Sequence, residues 1–337
     1  MTTVTAATPL TTPLARRASA SALGIAALLA ITVVAPFAVS DYHVFQLTQI
    51  LVYAIALLGL NLLTGFSGQI SLGNGAFYAV GAYVSIILIT KAGIPYWVTP
   101  PIAGALCFGV GYVFGRSVAR LEGLYLALAT FALATTTPQF LKLDALENWT
   151  GGVQGIVFQK PVSPIAELNN DQWLYFFCLA IAVVVYVSAS NVIRGRTGRA
   201  LAALRDQPIA AAAMGVNIAR YKSITFGVSA LYTGIAGSLG ALLAGFVSPD
   251  SFTILLSIQF LVGVVVGGIA SLLWMLFGAV FIELLPDVAN KYSPAAPAVL
   301  YGAVLIVFMM AMPGGVAGLV RSARFRLASV SRHRTRT

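Results

Sequence analysis

Few residues in this chain are of the types that enzymes use for catalysis. The only histidines are His43 and His333, and the only cysteines, Cys107 and Cys178, stand alone within apolar runs. They provide neither the clustered ligands of a zinc site nor the histidine of a catalytic triad inside the membrane. No Gly-Lys dipeptide occurs, so the phosphate-binding loop of nucleotide hydrolases is also missing. The sequence therefore predicts a protein that is not an enzyme, binds no metal or other cofactor and hydrolyses no ATP itself.

Glycines and small polar residues are instead concentrated in segment 59–83, where a plain membrane helix would carry leucine. One interpretation is close helix packing, with the polar side chains bonded across the interface. The other is an interrupted helix that lines a polar path, because irregular backbone at membrane depth persists only when it is buried in protein or faces water. Over the whole segment, the pattern favours the path. The candidate path residues are Asn61, Gly68, Ser71, Gly73 and Asn74, with Thr130, Gly267 and Gly268 from later segments.

Segment 194–222 combines arginines with a run of alanines. It predicts two short helices, one over 199–206 and one that begins at Pro208 and ends at Gly215. Proline suits the first position of a helix and glycine suits the position after the last. From the residues alone, an ordinary surface hairpin is the simpler interpretation. The alternative is a flat alanine surface that docks into a groove on another protein.

A third polar stretch lies in segment 141–172, where Thr150, Gly151 and Gly152 belong to a glycine-rich turn. The charged residues of this segment are mostly acidic. None of its residues is arranged for catalysis. The turn is suited to cap a path or to contact an external partner.

The elements that must position these residues are membrane helices. Of the 337 residues, 59% are hydrophobic and only 9% are charged, far below the charged fraction of soluble domains. Since a helix needs roughly 20 apolar residues to cross the hydrocarbon, the apolar runs predict an all-α, polytopic transmembrane bundle of about 10 spans. Around 267–271, a break inside one longer, partly re-entrant element is an alternative. The spans are 21–40, 44–63, 71–90, 98–115, 123–140, 173–193, 223–246, 254–270, 272–286 and 297–312.

The positive charges predict the orientation of this bundle. An even number of spans puts both termini on one side, where 16 of the 20 Lys and Arg residues also fall. Because basic loops stay in the cytoplasm, we expect a cytoplasmic N-terminal segment 1–20, a transmembrane domain 21–312 and a basic cytoplasmic tail 313–337. Within the domain, loop 194–222 is cytoplasmic and loop 141–172 is external. The formal charge of +10 then reflects contact with anionic membrane lipid and not with nucleic acid.

Glu283 is the only carboxylate inside the predicted spans. Ion-coupled carriers normally place ionisable groups near the middle of the membrane. The scarcity of such groups argues against coupling to a proton or sodium gradient. An ion-coupled secondary carrier is nevertheless the alternative class of transporter.

Six motifs follow one another in order between about Leu57 and Asp287. They are NLLTGFSGQISLGNGAF at 61–77, GLYLALAT at 123–130, TGG at 150–152 with Gly155, GRALAALRD at 198–206 with AAAMGVN at 211–217, Ser248-Pro249 with Phe252, and Gly267-Gly268. In this order the motifs resemble those of LivM-type permeases of high-affinity branched-chain amino acid ABC importers. Two positions depart from the family pattern. Asn74 stands where histidine is usual, and Ala270 stands where glycine is usual.

The resemblance implies a permease of the type II ABC importer kind in the bacterial cytoplasmic (inner) membrane. The implied partners are a homologous second permease, two cytoplasmic ATPase subunits that hydrolyse the ATP, and an external solute-binding protein. The resemblance also implies that loop 199–217 couples to the ATPase, which replaces the plain-hairpin interpretation. The coupling residues are then Arg199, Arg205, Asp206, Ala212 and Gly215.

The implied solute is a branched-chain amino acid or a similar small polar molecule. Segments 59–83 and 123–130 would line its path. Related permeases transport urea, short amides or aromatic acids. Because Asn74 replaces the usual histidine, these solutes are alternatives at this point.

Overall fold

The computed structural model describes residues 35–121, 123–164, 168–290 and 315–318, together with Thr32 and Ile306. Helices form along the apolar runs, and glycine ends two of the longest. Gly93 and Gly245 follow α2 and α9 with φ of +62° and +70°, the left-handed conformation that commonly closes a helix. The helices are α1 Asp41–Asn61, α2 Asn74–Ala92, α3 Thr99–Ser117, α4 Leu124–Leu141, α5 Glu147–Thr150, α6 Asn170–Arg194, α7 Arg196–Asp206, α8 Pro208–Ala213, α9 Ile218–Ala244, α10 Ile254–Gly267 and α11 Met275–Asn290.

Two very short strands, β1 Ile156–Val157 and β2 Phe246–Val247, pair antiparallel, with Ile156 opposite Val247. They join the loop after α5 to the end of α9. Single turns of 3-10 helix precede and follow α5 and open the connection to α10. They are Asp144–Leu146, Gly152–Gln154 and Pro249–Ser251.

Six segments among the described residues are long and apolar enough to cross a membrane, and each overlaps a predicted span. The predicted spans 98–115 and 272–286 form α3 and α11, which fall outside this group. The predicted spans 21–40 and 297–312 lie largely outside the described residues. The helical membrane bundle is thus confirmed, and the number of about 10 spans stays a prediction. The six segments are Asp41–Phe66, Asn74–Ala92, Leu124–Leu141, Asn170–Arg194, Ile218–Ala244 and Pro249–Gly267.

The long helix α9 is the most buried of these segments and packs against α1, α2 and α3. Small residues make the contact close. A Cβ atom at Gly81 of α2 would lie 2.1 Å from the carbonyl oxygen of Gly234 in α9, so no side chain fits there. Membrane helices associate in this way because small residues let two backbones approach. Large side chains such as Tyr83, Phe226 and Phe260 fill the remaining core.

The chain reverses direction between α10 and α11. A Cβ atom at Gly267 would contact Trp274, and one at Gly278 would contact Gly263, so the two helices run antiparallel. The reversal contains Ala270, whose φ of +61° is unusual for a residue with a side chain. These are two helices joined by a turn, and whether each crosses the membrane or the pair forms one re-entrant element stays a prediction.

Candidate functional site

The interruption predicted within segment 59–83 is present in the structure. After Asn61, α1 continues into a π-helical turn, Leu62–Phe66. The N–H of Ser67 donates to the carbonyl oxygen of Leu62 at 3.2 Å, which is the five-residue spacing of that turn. Residues 67–73 then connect the turn to α2 without forming a helix. We name residues 62–73 the interrupted segment.

Asn74 anchors the end of the interrupted segment to α9. Its side chain is buried at the first position of α2 and donates to the hydroxyl oxygens of Thr233, at 2.9 Å, and Ser229, at 3.2 Å. Ser71 is also buried, and its hydroxyl accepts the N–H of Gly73 at 3.2 Å. Small polar groups that bond across helices are the usual polar contacts of membrane bundles.

Two further helices hold the same connection. The hydroxyl of Thr130 in α4 accepts the N–H of Leu72 at 3.0 Å, and the hydroxyl of Ser257 in α10 accepts the N–H of Gly75 at 3.0 Å. Thr130 also donates to the carbonyl oxygen of Leu126 at 3.0 Å. Side chains therefore satisfy backbone groups that the break leaves without helical partners, as buried backbone requires.

Asn61 joins the start of the interrupted segment to the turn between α10 and α11. Its Oδ1 accepts the N–H of Ala270 at 2.9 Å, and its Nδ2 donates to the carbonyl oxygen of Ser271 at 2.9 Å. The side chain is fully buried. Gly65 packs into the same corner, where a Cβ atom would lie 2.6 Å from the nitrogen of Ala270. Gly267 and Gly268 precede this turn, so the structure brings them close to Asn61.

The helical hairpin predicted from segment 194–222 forms as α7 and α8, which Pro208 and Gly215 delimit as expected. α7 begins at Arg196, three residues before the predicted start. Its Leu201 and Leu204 side chains are buried against the bundle. The remaining predicted coupling residues, Arg199, Asp206, Ala212 and Gly215, are exposed.

Arg205 connects this hairpin to the interrupted segment. Its Nη1 donates to the carbonyl oxygen of Gly65 at 2.8 Å. A Cβ atom at Gly68 would lie 3.1 Å from the Cγ of Arg205, so the aliphatic part of the arginine also covers the backbone there. The predicted coupling loop and the predicted path segment are therefore in direct contact.

Thr150, Gly151 and Gly152 lie at the other end of the bundle, beyond α4. The Thr150 hydroxyl donates to the carbonyl oxygen of Leu141 at 2.9 Å and accepts the N–H of Gly152 at 3.2 Å. Close by, Lys142 forms an ion pair with Asp250 at 2.5 Å, which links the α4 end to the connection between α9 and α10. We name this turn, together with the ion pair, the cap.

Sequence reasoning missed several residues of the site. Ser229 and Thr233 bind Asn74, and their spacing of four residues among the small residues of α9 was a usable signal. Ser257 gave no such signal. On the hairpin, Ile209 and Met214 are each 86% exposed, which is unusual for apolar side chains that face water.

Comparison with known proteins identifies the family. The model of the branched-chain amino acid transport system / permease component matches residues 42–313. The high-affinity branched-chain amino acid transport system permease proteins LivM of Salmonella typhimurium and of Escherichia coli are each 33% identical to this chain over 89% of its length and 75% of their own. LivH of Escherichia coli is 24% identical over 79% of this chain and 91% of its own length. No solved structure matches the chain.

The family match covers the interrupted segment, the hairpin and the cap described above. They confirm the resemblance drawn from the six motifs. The chain belongs to the permease component family of branched-chain amino acid transport systems, with LivM-type permeases among its relatives.

Proposed function

We propose that this chain is a permease subunit of an ATP-driven ABC importer that carries branched-chain amino acids. The family and the printed functions of its LivM and LivH relatives support this solute class. The urea, amide and aromatic-acid alternatives have no comparable support. The chain supplies the membrane path, and its partners hydrolyse the ATP, so it binds no cofactor of its own.

The contact between Arg205 and Gly65 carries the proposal, because it joins the hairpin to the interrupted segment. The exposed Ile209 and Met214 side chains of the hairpin fit a groove on an ATPase subunit. These two side chains are surrounded by four further residues, Arg199, Asp206, Ala212 and Gly215. We name Ile209, Met214 and these four residues the docking surface.

Movement of the docked hairpin reaches the path through a short series of contacts. Arg205 holds the backbone of the π-helical turn, and Asn61 holds the same turn against the α10–α11 reversal. When the ATPase pair closes, the hairpin moves and carries this corner with it. The permease pair then alternates between outward-open and inward-open arrangements around a path near the middle of the membrane.

The path side chains proposed to offer hydrogen bonds to the solute are Asn61, Ser71, Asn74 and Thr130. In the single chain these groups bond to one another and to neighbouring helices, and the path opens when the bundle rearranges. The glycines beside these path side chains leave room for the solute. They are Gly68, Gly73, Gly267 and Gly268.

The complete importer contains a homologous second permease, two cytoplasmic ATPase subunits and an external solute-binding protein. It lies in the inner membrane, with about 10 spans in this chain and both termini in the cytoplasm, an orientation that the positive-inside rule supports. The Thr150-Gly151-Gly152 turn then faces outward, in reach of the solute-binding protein.

The test is copurification of the tagged chain with its ATPase after coexpression of the importer subunits. The variant Ile209→Asp with Met214→Asp places charges on the docking surface and is expected to abolish capture of the ATPase. The control is Arg194→Asp with Arg196→Asp, which changes two exposed arginines at the start of the hairpin, outside the docking surface.

The control variant should capture the ATPase as the unchanged chain does. Equal capture by the docking variant would contradict the docking surface. If the unchanged chain captures no ATPase and its solute uptake follows a proton or sodium gradient, the protein is an ion-coupled carrier and the importer proposal is wrong.

A further inference from the structure

A cleft of about 350 Å³ opens where α3 ends and α9 begins. It lies at the same end of the bundle as the docking hairpin, because α8 leads directly into α9. Polar and basic residues make up most of its lining. These residues are Tyr112, Arg116, Ala119, Arg120, Asn217, Ala219 and Arg220.

Close packing of α3 and α9 fixes the position of this cleft. A Cβ atom at Gly115 would lie 2.7 Å from the Cβ of Phe226, and one at Gly104 would lie 2.7 Å from the Cγ1 of Ile235. Gly104, early in α3, faces Ile235, late in α9, whereas Gly115 and Phe226 show the reverse, so the two helices run antiparallel. The end of α3, with Arg116, therefore meets the start of α9, with Arg220.

The three arginines of the cleft have no acidic partner in the part of the chain that the structure describes. The ion pairs found there join Lys142 to Asp250, Lys160 to Asp171 and Arg205 to Asp206. Arg116, Arg120 and Arg220 are exposed and carry like charges around one cavity. An anion in the cavity would offset their mutual repulsion and bind to guanidinium groups whose geometry matches phosphate.

Further donors point to the same kind of ligand. The Oδ1 atom of Asn217 accepts the N–H of Arg220 at 3.0 Å, which leaves the Nδ2 of Asn217 to donate elsewhere. Ala219 lies in the first turn of α9, where backbone N–H groups have no helical acceptor and the helix dipole is positive. The cleft thus combines positive charge with unsatisfied donors.

An aromatic surface continues from the cleft along α3. Tyr112 and Phe108 stack with an interplanar angle of 15° and a centroid distance of 6.2 Å. Phe108, Tyr112 and Arg116 are four residues apart on α3 and therefore share one face. Aromatic rings below basic groups are typical of the level where headgroups meet acyl chains.

We propose that this cleft, named here the arginine cleft, binds the phosphate of an anionic phospholipid headgroup, with the acyl chains against Tyr112 and Phe108. The shared chemistry is that of a phosphate ester, and free phosphate is the alternative source. The adjoining aromatic surface favours the lipid, because free phosphate has no use for it. The proposal goes beyond the transport function and does not depend on which solute is carried.

The experiment measures lipid retention by native mass spectrometry on the purified full chain in detergent. The probes are phosphatidylglycerol and phosphatidylcholine with identical acyl chains, each added alone and then with excess inorganic phosphate. The variant is Arg116→Gln, Arg120→Gln and Arg220→Gln together. The control, Arg194→Gln, Arg196→Gln and Arg199→Gln together, removes the same charge from exposed positions outside the cleft.

The unchanged chain should retain phosphatidylglycerol well above phosphatidylcholine. Loss of three basic groups near the headgroup should weaken that retention on the order of a hundredfold, while the control stays within about twofold of the unchanged chain. Circular dichroism on both variants establishes that the helices are intact. A replacement of all three arginines by lysine should restore part of the retention, since charge returns without the bidentate geometry.

Three results would overturn the proposal. Unchanged retention in the cleft variant means that the arginines bind no lipid. Equal losses in the cleft and control variants mean that net charge alone attracts the lipid. Displacement of phosphatidylglycerol by inorganic phosphate means that the cleft is a site for a soluble anion.

Discussion

The Nη1 atom of Arg205 lies 2.8 Å from the carbonyl oxygen of Gly65, a residue 140 positions earlier in the chain. A charged side chain on the α7–α8 hairpin thus binds the backbone at the point where α1 turns into a π-helix. Proteins use π-helical turns where a helix must deviate from regular geometry, often at functional sites. This hydrogen bond connects the hairpin directly to the interrupted segment.

Replacing this arginine should uncouple ATP hydrolysis from transport. Arg205→Ala removes a charge-assisted hydrogen bond of about 1.5 kcal/mol, the low end for a partly exposed group, which corresponds to roughly a tenfold loss in uptake rate. In proteoliposomes that contain the whole importer, uptake should fall by this factor while ATP hydrolysis continues. Arg196→Ala removes an exposed arginine from the same helix and should leave uptake unchanged. A parallel fall of uptake and ATP hydrolysis would mean that Arg205 serves docking alone.

Asn74 offers a test of the polar contacts between α2 and α9. Asn74→Ala leaves Thr233 and Ser229 without their shared donor, and we expect a loss of about 1–2 kcal/mol in the free energy of unfolding. Asn74→His introduces the residue usual in the family and supplies a ring N–H donor toward the same hydroxyls. Thermal unfolding in detergent should therefore rank Asn74→His above Asn74→Ala. The reverse order would show that the amide packs without an essential hydrogen bond.

Ala270 is a position where substitution should stabilise the protein. At φ of +61°, a residue with a Cβ atom costs about 1–2 kcal/mol, whereas glycine adopts this conformation freely. After allowance for the larger entropy of glycine in the unfolded chain, Ala270→Gly should gain roughly 0.5–1 kcal/mol. Ala279→Gly, inside α11, is the control and should destabilise by about 1 kcal/mol. A lower melting temperature for Ala270→Gly would contradict the strain.

Two helical glycines should respond oppositely to the same substitution. Gly81→Ala places a Cβ atom 2.1 Å from the carbonyl oxygen of Gly234, and forcing the helices apart should cost about 3 kcal/mol or more. Gly109→Ala, in α3, meets nothing within 4 Å and should stabilise its helix by about 0.5–1 kcal/mol. Thermal melting of both variants measures the difference. Similar melting temperatures would mean that α2 and α9 have room to separate.

Apolar run length and glycine placement made much of the fold predictable. The span predicted at 223–246 forms α9, which begins five residues earlier at Ile218, and the Pro208 start of α8 follows from local rules on helix caps. The π-helical turn does not, because it is stabilised by contacts of Asn61 and Gly65 with Ala270, which is distant in sequence. Likewise, α3 follows a clear apolar run, but its glycines lower its mean hydropathy. The sequence does not show how closely these glycines pack against α9.

The sequence indicated several of the polar residues that the structure buries around the interrupted segment, but not the contacts that they make. Polar residues in an apolar segment directed attention to Asn61, Asn74 and Thr130, since lipid disfavours such groups. Their partners could not be read from the same pattern, because one serine or threonine in α9 or α10 looks like any other. Only tertiary packing determines that Ser257 receives the N–H of Gly75 and that Arg205 reaches Gly65.

Helix α9 contains 27 residues and is therefore about 40 Å long, comparable to the thickness of a bilayer. It begins shortly after the α7–α8 hairpin and ends beside β2, which pairs with β1. A rod of this length, held along its sides by α1, α2 and α3, transmits a tilt at one end to the other with opposite sense. A single helix would thus act as a rigid lever. Movement of the hairpin at one end of α9 would move the cap at its other end, and no contact with the solute would be needed.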